Sequence, residues 1–209
     1  MIYLIGGAPR TGKTTLGASL AKVKAIPYFS FDHITSVIYP YIPKNKYIDK
    51  FPLGNALKES KFSNDTFYMK YSAEEAVELY FRQAETCWPG IKNFINYALT
   101  DEHDLILEGW QIIPYFINQI INQKNKDYLK IIFLCKNNIK DIIRGIKEDK
   151  SKHNWVVNNT KNPETYLSIA NMISYFSKRI KQDADTFHFQ TTNMEFKFKN
   201  IMADLEKYF

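Results

Sequence analysis

The octapeptide GAPRTGKT at residues 7–14 constrains this chain of 209 residues more than any other segment. It matches the pattern G-x-x-x-x-G-K-[ST], and average residue usage gives that pattern a chance occurrence below about one per cent in a chain of this length. An apolar run at residues 1–5 precedes it, and apolar residues at helical spacing, Leu16, Leu20 and Val23, follow it. The chain therefore opens with a strand, a glycine-rich turn and a helix.

Each residue type in this turn suits the binding of phosphate. Glycine lets successive backbone N–H groups curve around an anion, and the amino end of the following helix adds partial positive charge. Lys13 supplies a point charge for the β- and γ-phosphates, and the hydroxyl of Thr14 is a ligand for Mg²⁺. We therefore predict that ATP and Mg²⁺ bind here. The residues expected to contact the nucleotide are Gly7, Ala8, Pro9, Arg10, Thr11, Gly12, Lys13, Thr14 and Thr15.

Apolar runs of strand length alternate with amphipathic helical patterns along the rest of the chain. The runs lie at residues 25–31, 104–108, 129–135 and 186–190, and a long helical pattern spans residues 73–99. Unbroken apolar strands are typical of sheets that are covered on both faces. The alternation predicts an α/β fold, in which a parallel sheet of about five strands carries helices on both faces.

The composition is that of one globular domain. Hydrophobic residues make up 45% of the chain and aromatic residues 15%, which provides a sizeable core and excludes intrinsic disorder. No stretch approaches the roughly 18 consecutive apolar residues of a membrane span. Cys87 and Cys135 are too few for a disulfide framework. We expect a cytoplasmic protein.

Two carboxylates follow predicted strands near the glycine-rich turn. Asp32 follows the second strand, where a carboxylate can accept the proton of a substrate hydroxyl during phosphoryl transfer, although Asp before a helix is also a good N-cap. Glu108 ends the strand at 104–108, and a buried carboxylate needs a cation or a hydrogen-bond donor. Mg²⁺ held through a water would satisfy it, and a hydrogen bond to an adjacent loop or contact with the acceptor is the alternative.

Trp110 and Gln111 follow this strand and are candidates for lining the acceptor pocket, although Trp110 is equally suited to packing in the core.

Positive charge is concentrated in residues 136–152. Lys140, Arg144 and Lys147 share one face of a predicted helix, which is usually a solvated surface. Phosphoryl transfer, however, needs positive charge from an element that also excludes water, and a planar guanidinium pairs well with phosphate oxygens. We therefore choose Arg144 as the cation that meets the transferred phosphoryl group, with Lys147 and Lys152 as second choices.

These residues make the chain resemble the P-loop kinases, specifically the adenylate-kinase-like and 2-phosphoglycerate-kinase-like branch. The phosphate-binding loop is the specific part of the likeness. Asp32 stands where several of these kinases carry an acidic residue that contacts the acceptor. Glu108 with Gly109 is similar to the acidic strand end of the 2-phosphoglycerate-kinase-like proteins. Residues 144–155, which include His153, look like a basic lid over the phosphates.

The resemblance implies the three-layer sandwich of the P-loop NTPases with a small lid. We predict a single domain over residues 1–209, with an acceptor-side insertion at about 40–70 and a lid-like segment at about 144–157. The implied enzyme moves the γ-phosphoryl group of Mg²⁺-ATP to a small hydroxyl- or phosphate-bearing metabolite. Its catalytic residues are Lys13, Asp32 and Arg144, and its metal-binding residues are Thr14 and Glu108.

Two other classes of protein compete with the kinase interpretation. A nucleotide-binding switch ATPase would use the same loop without an acceptor; a guanine-specific switch would carry N-K-x-D after a strand, and residues 135–138 read CKNN. A nucleic-acid-binding ATPase is less favoured because most aromatic residues have core-like spacing. We expect a small-molecule acceptor and neither a nucleic acid nor a membrane as partner.

The acceptor itself is not specified by these patterns. Nucleoside monophosphates, sugar acids, phosphoglycerate, an antibiotic hydroxyl and a nucleotide-sugar are all compatible with one carboxylate, a basic lid and an aromatic insertion. Residues 191–193, after the last predicted strand, are a candidate loop beside the adenine.

Overall fold

A computed structural model describes residues 1–152, 154–195 and 198–208. Its centre is a parallel sheet with the strand order β2-β3-β1-β4-β5. The strands are β1 (Ile2–Gly7), β2 (Tyr28–Ser30), β3 (Leu105–Glu108), β4 (Leu129–Cys135) and β5 (Thr191–Asn193). The predicted α/β fold with a parallel sheet of about five strands is confirmed.

Helices connect the strands and cover both faces of the sheet. In chain order they are α1 (Lys13–Lys24), α2 (Asp32–Ile38), α3 (Tyr47–Lys50), α4 (Pro52–Glu59), α5 (Asn64–Lys70), α6 (Ala73–Thr100), α7 (Pro114–Asn118), α8 (Ile139–Glu148), α9 (Trp155–Asn158), α10 (Thr165–Thr186) and α11 (Phe198–Tyr208). Short 3₁₀ turns lie at Tyr39–Tyr41, Lys44–Lys46 and Lys126–Tyr128. No helix in the described ranges is long and apolar enough to cross a bilayer.

Alternate residues of β1 pack into two separate cores. Ile2 and Leu4 belong to the larger core, which contains residues of α6 and α10, while Tyr3 and Ile5 belong to a smaller core with residues of α1. This alternation follows from the strand geometry, which points successive side chains to opposite faces. The sheet is therefore buried on both sides.

The direction in which the chain crosses the sheet changes at β1. The chain passes from β1 to the edge strand β2, returns through β3, and then continues beyond β1 to β4 and β5. Loops at the carboxyl ends of β1 and its neighbours consequently diverge and leave a crevice, which is where open α/β sheets bind ligands. The glycine-rich turn and Glu108 both lie at this edge.

The last strand lies later than predicted. We expected it at residues 186–190, but α10 continues to Thr186 because its apolar stripe, with Ile180 and Ala184 buried, extends that far. Strand β5 is instead formed by Thr191–Asn193. The prediction of a loop at residues 191–193 is therefore wrong.

The two segments expected beside the cleft have regular structure. Residues 40–70 form short helices that bury Phe51 and Phe67, and residues 144–157 comprise the end of α8, a connection and most of α9. His153 lies outside the described residues. The roles of residues 40–70 as an insertion and of residues 144–157 as a lid remain predictions.

Helix α6 begins with a capping box that should contribute measurably to stability. The hydroxyl of Ser72 accepts a hydrogen bond from the backbone N–H of Glu75, whose carboxylate accepts one from the N–H of Ser72. We expect Ser72→Ala to lower the free energy of unfolding by about 1 kcal/mol, measured by urea denaturation. Ser36→Ala, at an exposed position within α2, should change it by less than about 0.5 kcal/mol. Equal effects of the two substitutions would contradict the capping role.

Candidate active site

The glycine-rich turn joins β1 to α1, and two of its glycines have a conformation that other residues adopt only with strain. Gly7 has φ of 129°, and a Cβ atom there would lie 2.2 Å from the carbonyl oxygen of Leu134. Gly12 has φ of 100°, and a Cβ atom there would lie 2.7 Å from the ring of Phe198. Both the backbone angle and the close neighbours therefore require glycine.

The amino end of α1 is left open to a ligand. The first N–H groups of an α-helix have no acceptor within the helix. Gly12 occupies the N-cap position and provides no side-chain cap. The first helical bond runs from the N–H of Leu16 to the carbonyl of Gly12. The preceding N–H groups and the helix dipole are therefore available to an anion.

Lys13 is almost completely buried at the base of this turn. Its Nζ atom donates a hydrogen bond to the carbonyl oxygen of Ala8 at 2.8 Å. Burial lowers the pKa of Lys13, whereas the nearby carboxylates of Glu108 and Asp32 oppose that shift. The ammonium group is thus held inside the turn by the loop itself.

Glu108 ends β3 next to Ile5 of β1 and Ser30 of β2, and only 1% of it is exposed. Its Oε1 atom accepts hydrogen bonds from the hydroxyl of Tyr28 at 2.9 Å and from that of Thr14 at 3.3 Å. Burial next to this carboxylate raises the pKa of Tyr28. The Oε2 atom of Glu108 is buried and has no hydrogen-bond partner in the described part of the chain.

The oxygens of Thr14 and Glu108 fit the requirements of Mg²⁺. This ion prefers oxygen ligands and is commonly held by one or two protein groups together with waters and phosphate oxygens. Among the described residues there is no cluster of three or more potential His, Cys, Asp or Glu ligands. An unpaired, buried carboxylate oxygen beside a hydroxyl group is the donor set that a water-mediated magnesium site needs.

Asp32 is the first residue of α2, and Phe31 rather than Asp32 occupies the N-cap position. The Asp32 carboxylate is open to the cleft, but protein surrounds its other sides, and this withdrawal from bulk water raises its pKa. The positive charge of Lys13 opposes the rise in the Asp32 pKa, and the negative charge of Glu108 adds to it. The three charged groups therefore interact within one cleft.

Aromatic residues form the wall of the cleft on the Asp32 side. The ring of Trp110 meets the ring of Tyr80 of α6 edge to face, with centroids 4.9 Å apart, and both side chains line the cleft. Burial and the charge of Asp32 raise the pKa of Tyr80. Trp110 thus packs against Tyr80 and also lines the cleft.

Gln111, the other residue expected in the acceptor pocket, is fully buried. Its Nε2 atom donates a hydrogen bond to the carbonyl oxygen of Phe31 at 3.0 Å, and this bond supports the turn that leads to Asp32.

Arg144 lines the cleft from α8 and is paired within its own helix. Its guanidinium lies 2.7 Å from a carboxylate oxygen of Asp141, one turn earlier, and about half of the side chain is exposed. Among the second-choice cations, Lys147 lies with its ammonium 5.4 Å from the ring centre of Tyr166. Arg144 is thus the predicted lid cation that the structure brings to the cleft.

Two further cations at the cleft were missed or assigned another role by sequence analysis. Arg10, expected only as part of the loop, forms an ion pair of 2.7 Å with Asp149, in the connection after α8. Lys136 follows β4 directly and lines the cleft, and its pKa is lowered by burial and by Arg10, while Asp141 opposes the shift. Its position after a buried strand, the same signal as at Glu108, could have identified it.

Helix α5, in the segment expected as the insertion, forms hydrogen bonds with residues that follow the segment expected as the lid. The side-chain amide of Asn64 in α5 donates to the hydroxyl of Thr160 at 3.0 Å. The carboxylate of Asp65 accepts from the N–H of Lys161 at 2.9 Å and from the hydroxyl of Thr165 at 2.7 Å. Helix α5 is therefore fastened to the segment between α9 and α10.

The cleft enclosed by these elements has a volume of about 770 Å³. Lys13 and Glu108 lie at its floor, Asp32 and Trp110 line one side, and Lys136 and Arg144 line the other. This volume is within the range of small-molecule and cofactor sites. The site is large enough for a nucleotide together with a small second ligand.

Comparison with known proteins gives one curated relative and several similar structures. The chain is 26% identical over 121 residues to a mevalonate-3-phosphate 5-kinase from Thermoplasma acidophilum; the match covers 57% of this chain and 55% of that protein, so the chain spans about half the length of this relative. No family model matches.

Two solved structures share the architecture over nearly the whole chain. A shikimate kinase from Bacteroides thetaiotaomicron superimposes with a TM-score of 0.54 and 13% identity, covering 100% of this chain and 97% of the other. A gluconokinase from Sinorhizobium meliloti 1021 gives a TM-score of 0.50 and 9% identity, covering 99% and 93%. The five-stranded parallel sheet, with its glycine-rich turn between β1 and α1, therefore has the fold of the P-loop small-molecule kinases.

Proposed function

We propose that this protein is an ATP-dependent phosphotransferase that moves the γ-phosphoryl group of Mg²⁺-ATP to a small hydroxyl- or phosphate-bearing metabolite. The observation that carries the proposal is that Lys13, Glu108 and Asp32 lie close together in one cleft. The relative and the two similar structures described above are all named as kinases, which supports the same reaction class.

The phosphate-binding loop would hold the nucleotide. The proposed contacts are the backbone and side chains of Gly7, Ala8, Pro9, Arg10, Thr11, Gly12, Lys13, Thr14 and Thr15. Lys13 would exchange its hydrogen bond with the carbonyl of Ala8 for charge-assisted bonds to phosphate oxygens. Because the ammonium group is already held at the base of the turn, the Lys13 side chain would lose little conformational entropy when the nucleotide binds.

Thr14 and Glu108 would hold the metal ion, Glu108 through a water. The ion, when bound, neutralises charge on the β- and γ-phosphates. The unpaired Oε2 atom of Glu108 supports this assignment, because a buried carboxylate oxygen without a partner is costly unless a ligand supplies the missing donor.

Asp32 would act as the general base. As the acceptor oxygen forms its bond to the γ-phosphorus, the bond from that phosphorus to the β,γ-bridging oxygen breaks and ADP leaves. The proton of the acceptor hydroxyl passes to the Asp32 carboxylate. A pKa raised by partial burial makes this carboxylate a stronger base than an exposed one.

Arg144 would stabilise charge on the transferred phosphoryl group after leaving Asp141. The aromatic wall of Tyr80 and Trp110 beside Asp32 provides room for an acceptor. A switch ATPase does not require such a compartment, so the wall favours the kinase over that alternative.

The two cysteines, Cys87 and Cys135, are buried and form no disulfide, which suits the reducing cytoplasm in which we place the protein.

The first test is removal of the Lys13 charge. We expect Lys13→Ala to lower the rate of acceptor-dependent ADP release by on the order of 10²–10³ or more, because the site loses a charge preorganised for the phosphates. ADP release would be followed with Mg²⁺-ATP and a panel of small hydroxyl and phosphate acceptors. Lys22→Ala, at an exposed position of the same helix, is the matched control and should behave like the unmodified chain. A folded Lys13→Ala variant with near-normal transfer would refute the proposal.

The second test concerns the base. Since Asp32 must be ionised to accept a proton, the rate should rise with pH through its pKa, and burial places this rise above the range of an exposed aspartate. Asp32→Asn should lower the rate by on the order of 10²–10⁴ and remove that limb of the pH–rate profile. Asp127→Asn, at an exposed position, should change neither. A full rate in Asp32→Asn would exclude the residue as base and leave the nucleotide site unaffected.

A further inference from the structure

Two hydroxyl groups from different elements converge on the same oxygen of Glu108. Thr14, in the first turn of α1, donates to Oε1 at 3.3 Å, and Tyr28 of β2 donates to it at 2.9 Å. The shorter bond comes from a residue outside the phosphate-binding loop. The other oxygen, Oε2, is buried without a partner in the described residues.

The register of the sheet explains how Tyr28 reaches this carboxylate. Tyr28 pairs with Ile106 and Ser30 pairs with Glu108, so Tyr28 and Glu108 are diagonal neighbours on adjacent strands. Side chains two residues apart on a strand share a face, and a long aromatic side chain can reach a diagonal neighbour. The Tyr28 side chain therefore runs along one face of the sheet, and its hydroxyl reaches the carboxylate of Glu108 at the end of β3.

Helix α1 is shaped to admit the ring of Tyr28. A Cβ atom at Gly17 would lie 2.5 Å from Cε2 of this ring, closer than packed atoms can approach. Glycine inside a helix costs roughly 0.5–1 kcal/mol relative to alanine. The helix that begins at Lys13 thus contains a destabilising residue at the position that accommodates Tyr28.

We propose that Tyr28 is a positioning residue for Glu108. Its hydroxyl holds Oε1, restricts rotation of the carboxylate, and leaves Oε2 as the oxygen that accepts a hydrogen bond from a metal-bound water. The inference rests on the proposed function, because it concerns the magnesium–nucleotide complex. Residues that orient a metal-binding group commonly change metal affinity by 10–100-fold when they are removed.

The test is Tyr28→Phe, which keeps the ring against Gly17 and removes only the hydroxyl. Calorimetric titration of Mg²⁺ into the ADP-saturated chain should show an affinity lower by on the order of tenfold. The affinity for ADP in the presence of EDTA should be unchanged, and the melting temperature will show whether the variant is folded. Tyr128→Phe, at an exposed tyrosine before β4, is the matched control and should bind Mg²⁺ normally.

A double-mutant cycle separates positioning from simple packing. If Tyr28 acts through Glu108, Glu108→Gln should weaken Mg²⁺ binding, and adding Tyr28→Phe to it should cause little further loss. Gly17→Ala should also weaken Mg²⁺ binding, because the new methyl group displaces the Tyr28 ring. Unchanged Mg²⁺ affinity in Tyr28→Phe, or independent losses that multiply in the double variant, would overturn the inference.

The outcomes also separate this inference from the proposed function. If the unmodified chain binds ADP with no effect of Mg²⁺, the metal site and the phosphotransferase proposal both fail, and the inference fails with them. If Mg²⁺ strengthens binding in the unmodified chain and Tyr28→Phe behaves identically, the inference alone fails.

Discussion

The burial of one carboxylate, Glu108, determines how the elements around the cleft must be arranged. A charge removed from water is costly unless cations and hydrogen-bond donors surround it. Here Lys13 supplies the charge, and Thr14 and Tyr28 supply the donors. These partners come from α1 and β2, so the helix and both strands must keep their relative positions for the carboxylate to be tolerated. Gly17, which admits the ring of Tyr28, belongs to the same requirement.

Most of the cations at the cleft already have partners within the chain. Arg10 is paired with Asp149, Arg144 with Asp141, and the ammonium of Lys13 with the carbonyl of Ala8. Binding of phosphate would therefore be an exchange of partners, and its free energy would be the difference between two sets of bonds. The internal partners leave few of these cations unpaired when no ligand is bound, and an anion would have to compete with the internal acceptors to bind.

The sequence predicts those features that depend on local pattern. The fold class follows from alternating strands and helices, and the glycine-rich turn after β1 follows from Gly7 and Gly12, whose positive φ angles favour glycine. The last strand was misplaced because the residues after Ala184 can continue a helix or begin a strand, and the packing of α10 decides between them. Local pattern gives no access to such tertiary preferences.

The side-chain contacts of the candidate site depend on which strands and helices become neighbours, and the sequence pattern does not predict those neighbours. The likeness of Glu108 to an acidic strand end gave no indication of Tyr28, eighty positions earlier, because the two meet only when β2 joins the edge of the sheet beside β3. The sequence analysis selects Arg144 as the cation that meets the transferred phosphoryl group but does not identify its ion pair with Asp141, although a spacing of three residues on a helix permits that pair.

The hydrogen bonds between α5 and the segment after α9 bear on how the cleft can move. Asn64 and Asp65 bind the backbone and hydroxyl groups of residues 160–165, so α5 and the connection between α9 and α10 are held together. Because Trp155, the first residue of α9, lines the cleft, a movement of that part of the cleft would also have to strain the hydrogen bonds to α5.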